Sequence, residues 1–181
     1  MNEPGQSKNG KVQNIHEPLA TDLSTNVEAL PRLVLLFKER PAAWALMPEA
    51  LERVKAFCKK TQSDDDPEIL AAVIEQNFAS EKPLIVLMVA VDPSGDLLGH
   101  LLADIEEWGA KKYLVIRQYD LDDKAGIPVE LLRAGLEAIE EWGRMHGAMK
   151  TRVFALNDEW ERGLRTFYGF RKNRTLMERS L

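Results

Sequence analysis

A polar turn between a strand-like run and a long amphipathic helix is the part of this sequence best suited to bind a ligand. The turn, DLDDKAGIP, spans residues 120–128 and contains Gly126 and Pro128. The first turn of the following helix has N–H groups without intrahelical partners and carries about half a positive charge, so it favours anions. The sequence therefore predicts an anion site where the strand ends and the helix begins.

The residues that commonly ligate metals form no cluster in the sequence. His16 has no second ligand at a suitable spacing and is expected to be exposed. The three aspartates at 64–66 directly precede Pro67, so they predict a helix N-cap followed by proline at the first helical position. No metal site is expected.

The remaining candidates for acid–base or thiol chemistry have structural interpretations. Cys58 lies at helical spacing from Val54 and is predicted to be a buried thiol. His100 follows a glycine in a strand and is interpreted as structural, and His146 is expected to cap the end of a helix.

Length, composition and charge limit the class of protein. The 181 residues, 45% of them apolar, suit one folded domain, and the net charge of −5 argues against a general nucleic-acid binder. No apolar run approaches the ~20 residues that span a bilayer, and no signal-peptide core is present, so we expect a cytoplasmic location and no membrane partner. Residues 1–29 are polar and aperiodic, which predicts a flexible arm before a domain at 30–181.

Hydrophobic spacing predicts a sheet and helices that position the turn. The run DPSGD at 92–96 is typical of a turn between antiparallel strands, and a second turn at 109–111 extends this pair to a three-strand meander. A helix separates the third strand of the meander from the next strand, so those two strands are expected to pair in parallel. The predicted strands cover about 32–38, 84–91, 97–108, 112–119, 151–156 and 170–181; the predicted helices cover about 48–61 and 67–79, and two more end at Gly147 and Gly169.

This order of elements resembles the GNAT acetyltransferase superfamily over about residues 31–181. The Gly169–Phe170 pair and the closing run YGFRKNRTLMERSL are similar to the end of the family's domain. The run LMVAVDPSGDLLGHLLADI, with Gly99 and His100, resembles its second and third strands. The resemblance implies an α/β (α+β) fold: a mixed, mostly antiparallel sheet with a splayed central parallel pair, flanked by about four helices.

The resemblance also implies that acetyl-CoA binds as cosubstrate between the splayed strands. Gly126 and Ile127 match the family's pyrophosphate turn. Asp122 and Asp123 instead place negative charge there, and Pro128 removes an N–H donor. The residues that would hold the cosubstrate are Gln118 at the end of the fourth strand, Lys124, Ala125, Gly126 and Ile127 in the turn, and Asn157, for which a plain N-cap role is the alternative.

Two residues are candidates for catalysis by the same resemblance. Glu106, which shares a strand face with Asp104, would take a proton from the amine. Tyr168 is the candidate acid, with a packing role as the alternative. Arg165 stands where the family often has its catalytic tyrosine, and an arginine is a poor acid at neutral pH.

Two functions are compatible with these features. The first is an acetyl-CoA-dependent N-acetyltransferase that transfers the acetyl group directly to a primary amine of a small molecule or protein. The second is a catalytically inactive GNAT-like structural or interaction protein, which resembles proteins of tailed-phage structural gene clusters and would then be located in the virion. The arm at 1–29 would serve a homo-oligomer or an assembly partner, and no nucleic-acid partner is expected.

Overall fold

A computed structural model describes residues 30–122, 125–153 and 158–172, without the side chains of residues 159 and 160. The strands are β1 (Arg32–Leu35), β2 (Ile85–Val91), β3 (Leu97–Trp108), β4 (Lys111–Leu121) and β5 (Ala148–Val153). The helices are α1 (Pro41–Trp44), α2 (Met47–Thr61), α3 (Pro67–Ala79), α4 (Val129–Met145) and α5 (Asp158–Tyr168). None of the helices in these ranges is long and apolar enough to cross a membrane. The predicted arm at 1–29 and most of the predicted last strand lie outside the described residues.

The five strands form one sheet in the order β1-β2-β3-β4-β5. Neighbouring strands are antiparallel except β4 and β5, which are parallel and joined by the crossover helix α4. The predicted mixed, mostly antiparallel sheet with a meander and one parallel pair is confirmed.

The two long helices before the sheet have the predicted boundaries. Asp66 caps α3, since its side chain accepts hydrogen bonds from the main-chain N–H groups of Glu68 and Ile69. A one-turn helix, α1, was not predicted: Pro41 does not simply end the first strand but begins this helix, because proline fits the first helical position. The described residues therefore contain five helices where about four were expected.

The parallel strand begins earlier than the sequence pattern indicated. β5 begins at Ala148 instead of Thr151. The helix α4 ends at Met145. Gly147, with a φ of +86°, then turns the chain so that it pairs with β4 at once, with Ala148 opposite Lys112.

The sheet separates two hydrophobic clusters, because successive strand residues point to opposite faces. Leu87, Val89 and Val91 of β2 pack against α2 and α3, on what we call the α2–α3 face. Val86 and Met88 point the other way and pack with Ile139 and Trp142 of α4, on the α4 face. Along an unbulged stretch of a central strand, residues two positions apart thus lie on the same face.

Candidate functional site

β4 extends beyond the part of its ladder with β5 that the structure describes, and the cleft expected between the two strands would begin here. The last pair of the described parallel ladder is Ile116 with Val153, yet β4 continues to Leu121. The Asp122 N–H donates to the Leu98 carbonyl at 2.9 Å, so this end of β4 is still bonded to β3. Main-chain groups alternate in direction along an antiparallel strand, so Tyr119 and Leu121 direct theirs to the β5 side.

A β-bulge on β4 lies at the start of the cleft. Gln118 is opposite Leu102 and Ile116 is opposite Ala103, which leaves Arg117 as the extra residue. An inserted residue sets two consecutive side chains on one face and increases the local twist. Arg117 and Gln118 therefore both point to the α2–α3 face, and the twist of β4 increases at this position.

The turn after β4 leads to the N-terminus of α4, as predicted. The Ala125 N–H donates to the Asp122 carbonyl at 2.9 Å, and Gly126 has a left-handed φ of +59°. Ile127 packs against the core on the α4 face. Among the described residues, no side chain caps α4 at its N-cap residue Pro128, so no described side chain occupies the N–H groups of Val129 and Glu130 as a cap. Ala125, Gly126 and Ile127 thus border the predicted anion site, whereas Asp123, Lys124 and Asn157 fall outside the described residues.

The side chain of Gln118 lies in the core instead of the cleft. Its Oε1 is 2.8 Å from Nε2 of His100, and its Nε2 donates to Sγ of Cys58 at 3.2 Å. All three side chains are buried. Burial raises the pKa of the Cys58 thiol, which confirms the predicted inert, buried cysteine. The side chain of Gln118 therefore lies in the core, and the groups of β4 directed to the β5 side are the main-chain groups of Tyr119 and Leu121.

His100 is expected to make the protein less stable in mild acid. Burial lowers the pKa of His100, and in the structure its Nδ1 has no hydrogen-bond partner among the described residues. The unfolded chain then binds a proton near the ordinary histidine pKa of about 6.5, while the folded protein resists protonation. Stability is fully present above that pH and falls as the pH decreases, by at most about 1.4 kcal/mol per pH unit.

Urea unfolding of wild type and His100→Gln between pH 7.5 and 5.0 measures this effect. The difference in unfolding free energy between the two proteins isolates His100 from carboxylates that titrate in both, including Asp120, whose charge acts on His100 along with that of Arg53. A constant difference across this pH range would show that His100 does not titrate on unfolding.

Tyr168, the predicted acid, is bound to a second tyrosine at the cleft. Its side chain hydrogen-bonds that of Tyr119 on β4, and burial together with Tyr168 raises the pKa of Tyr119. Tyr119 packs on the α4 face, so the two phenols lie on that side of the cleft. Arg165, at the family's usual tyrosine position, is largely exposed and lies 3.7 Å from Glu161.

Glu106, the predicted base, belongs to a polar network on the opposite face of the sheet. Arg117 binds Asp104 through hydrogen bonds of 3.1 and 3.2 Å and also pairs with Glu106. The Trp108 indole donates to the other oxygen of Glu106 at 2.6 Å. Burial raises the pKa of Asp104, and the charge of Glu106 acts in the same direction. The predicted shared face of Asp104 and Glu106 is confirmed.

The same network extends to the parallel strand through aromatic rings. The Arg152 guanidinium lies 3.5 Å from the centre of the Tyr113 ring and 4.9 Å from that of Trp108. We call the set Asp104, Glu106, Trp108, Tyr113, Arg117 and Arg152 the open face. Of its members, the sequence indicated only the two carboxylates, because alternation along one strand reveals a shared face but not the partners on other strands.

No group of three or more histidine, cysteine or acidic side chains in the described ranges could hold a metal ion. The cleft, the turn, the two phenols and the open face are therefore the parts with which a ligand could react or bind.

Comparison with known proteins relates this geometry to acetyltransferases. No protein-family model and no curated protein matches the sequence. An acetyltransferase structure from Trypanosoma brucei is similar, with 16% identity, a TM-score of 0.57 and coverage of 83% of this chain and 99% of that chain. A predicted acetyltransferase from Clostridium acetobutylicum, solved with acetyl-CoA, is 9% identical, with a TM-score of 0.62 and coverage of 83% and 96%.

A third similar structure is AAC(6')-Iy in complex with the bisubstrate analog CoA-S-monomethyl-acetylneamine. It is 12% identical, with a TM-score of 0.59 and coverage of 83% of this chain and 98% of that chain. The shared feature is the whole domain, since each match covers nearly all of the other protein. The described part of the chain has the fold of the GNAT acetyltransferases.

Proposed function

We propose that this protein is an acetyl-CoA-dependent acetyltransferase that acts on a primary amine. The observation that carries the proposal is the extension of β4, bulged at Arg117, beyond its described ladder with β5 and directly into the turn to the N-terminus of α4. This arrangement combines an extended main-chain edge with an anion-favouring helix end. A long ligand with amides at one end and a pyrophosphate at the other matches both parts.

Two groups of described residues are suited to hold acetyl-CoA. The main chains of Tyr119 and Leu121, directed to the β5 side, would bind the pantetheine amides. The N–H groups at Gly126 and Ile127 and at the start of α4 would face the pyrophosphate, where no described side chain competes as a cap. Lys124 would add a cation. When bound, acetyl-CoA supplies the acetyl group as a thioester.

The proposed base and acid lie on opposite faces of the sheet, with the cleft between them. Asp104 and Glu106 would receive the proton of the attacking amine on the α2–α3 face, and the pKa of Asp104, raised by burial, makes this carboxylate a stronger base than an exposed aspartate. Tyr168 would donate its hydroxyl proton to the departing thiolate from the α4 face, held in place by Tyr119. The amine therefore approaches from one face, and the thiolate departs toward the other.

Acetyl-CoA binding tests this proposal directly. At a concentration one hundred times Kd, a ligand adds about 2.7 kcal/mol to the unfolding free energy, so we expect the melting temperature to rise by about 5–10 °C. Calorimetry should show one site per chain, and CoA should bind there too, whereas pantetheine, without the pyrophosphate, should bind much more weakly. No shift at millimolar acetyl-CoA would overturn the enzyme and favour the alternative of an inactive interaction protein.

A further inference from the structure

Within the described part of the chain, the helices on the α2–α3 face cover only the other part of the sheet and leave the open face accessible. α2 and α3 pack against β2 and the first half of β3, through residues such as Val89, Leu97 and Leu102. Beyond them, Trp108 is 59% exposed. Thr151 donates to Glu140 of α4 at 2.8 Å, which places the neighbouring Arg152 on the face away from α4.

The two arginines of the open face differ in their partners. Arg117 already binds the carboxylates of Asp104 and Glu106. Arg152 contacts the faces of Tyr113 and Trp108 instead, and no acidic side chain in the described ranges lies within salt-bridge distance of it. An arginine that stacks by its plane keeps its N–H edges available, and those edges match the two oxygens of a carboxylate or phosphate.

Arg152 lies near the end of the described β4–β5 ladder, and its guanidinium reaches the rings of Tyr113 and Trp108. It pairs in register with Val115, and the next pair, Ile116 with Val153, is the last of the described ladder. Arg152 is thus one residue, about 3.3 Å along the strand, from the end of this ladder. Its guanidinium lies beside the Trp108 ring, whose indole N–H is bound to Glu106.

We infer that the acceptor is an amine that also carries an oxyanion, a carboxylate or a phosphate, and that Arg152 binds this oxyanion. The inference rests on the proposed function, since it names the acceptor of the same reaction. Glu106 accepts from the Trp108 indole N–H and Arg152 lies over the same ring, so a carboxylate and a guanidinium contact one exposed side chain, where one ligand can reach both. A second positive charge in place of the oxyanion would be repelled by Arg152, so a diamine is a poor acceptor.

Matched small amines test this inference with and without acetyl-CoA. The probes are 4-aminobutanoate, O-phosphoethanolamine, butylamine and 1,4-diaminobutane, which separate carboxylate, phosphate, no second charge and a second cation. The first readout is the NMR shift of the Trp108 indole N–H, assigned with Trp108→Phe and followed without acetyl-CoA. The second readout is kcat/KM for thiol release from acetyl-CoA.

We expect the two anionic amines to shift the Trp108 resonance and to be acetylated at least 10-fold more efficiently than 1,4-diaminobutane. Arg152→Gln should weaken anionic binding at least 10-fold, and Arg152→Lys should restore it only in part because lysine lacks the planar fork. Lys150→Gln removes one exposed positive charge from the same strand and should have little effect. Whichever of 4-aminobutanoate and O-phosphoethanolamine binds more tightly shows whether the oxyanion of the acceptor is a carboxylate or a phosphate.

Equal binding of 4-aminobutanoate and 1,4-diaminobutane, or unchanged binding in Arg152→Gln, would overturn the inference. A Trp108 response to the anionic amines without any acetyl-CoA binding would instead overturn the proposed enzyme and leave the oxyanion site standing. The two failures are therefore distinguishable, since the NMR readout needs no acetyl transfer.

Discussion

Replacing Gly126 by glutamate is expected to reduce acetyl-CoA affinity by about 30- to 100-fold, which corresponds to about 2–3 kcal/mol. Gly126 has φ +59°, where a residue with a Cβ costs about 1–2 kcal/mol, so the turn of the variant would relax in the free protein and would have to recover this conformation to bind the pyrophosphate. The carboxylate would also lie beside the proposed pyrophosphate, where like charges at about 4–6 Å cost on the order of a kcal/mol or more. Titration calorimetry with acetyl-CoA measures the loss.

Gly109→Glu is a matched control for this variant. Gly109 also has a left-handed φ, +63°, and at both glycines a Cβ would meet no atom within 4 Å. Gly109 is in the turn between β3 and β4, at the opposite end of β4 from the anion site. Its glutamate variant carries the same strain and charge and should bind acetyl-CoA like wild type. Equal losses in the two variants would mean that the turn at 125–127 is not the pyrophosphate site.

Replacing Gly99 by alanine is expected to destabilise the fold by about 3 kcal/mol and to lower the melting temperature by about 6–12 °C. A Cβ on Gly99 would overlap the main-chain carbonyl oxygen of Asp120 and lie 2.9 Å from Cα of Leu121. Backbone atoms of a paired strand cannot rotate out of the way as a side chain can, so β4 must shift. The shift would occur in the segment that borders the cleft. Urea unfolding gives the free energy, and acetyl-CoA titration of the folded variant should show weaker binding.

Gly163→Ala is the matched control for Gly99→Ala, since it makes the same substitution where a Cβ has room. Gly163 is within α5, and a Cβ there would meet no atom within 4 Å. Alanine is favoured over glycine in a helix by about 0.5–1 kcal/mol, so this variant should be slightly more stable than wild type. If Gly99→Ala were as stable as Gly163→Ala, the expected clash between a Cβ at Gly99 and the main chain of β4 would be contradicted.

The sequence by itself determined most of the described elements, their order and the location of the turn before α4. Such features follow from local rules: Asp66 before Pro67 marks the start of α3, and Gly147 marks the turn after α4. The spacing of two along β3 also determined that Asp104 and Glu106 share a face. These signals involve residues close together in the chain, so one sequence is enough to interpret them.

Only the tertiary structure decided which side chains meet at the cleft. The bulge at Arg117 reverses the face of the sheet on which each later residue of β4 lies. As a result, Gln118 points into the core and Tyr119 points toward Tyr168. A shift of one residue in strand register exchanges the faces of all following side chains, and no local pattern reports such a shift. The stacking of Arg152 on Tyr113 likewise depends on the pairing of strands that α4 separates in sequence. The chemistry proposed here therefore depends on registers between distant strands, which packing of the whole sheet determines.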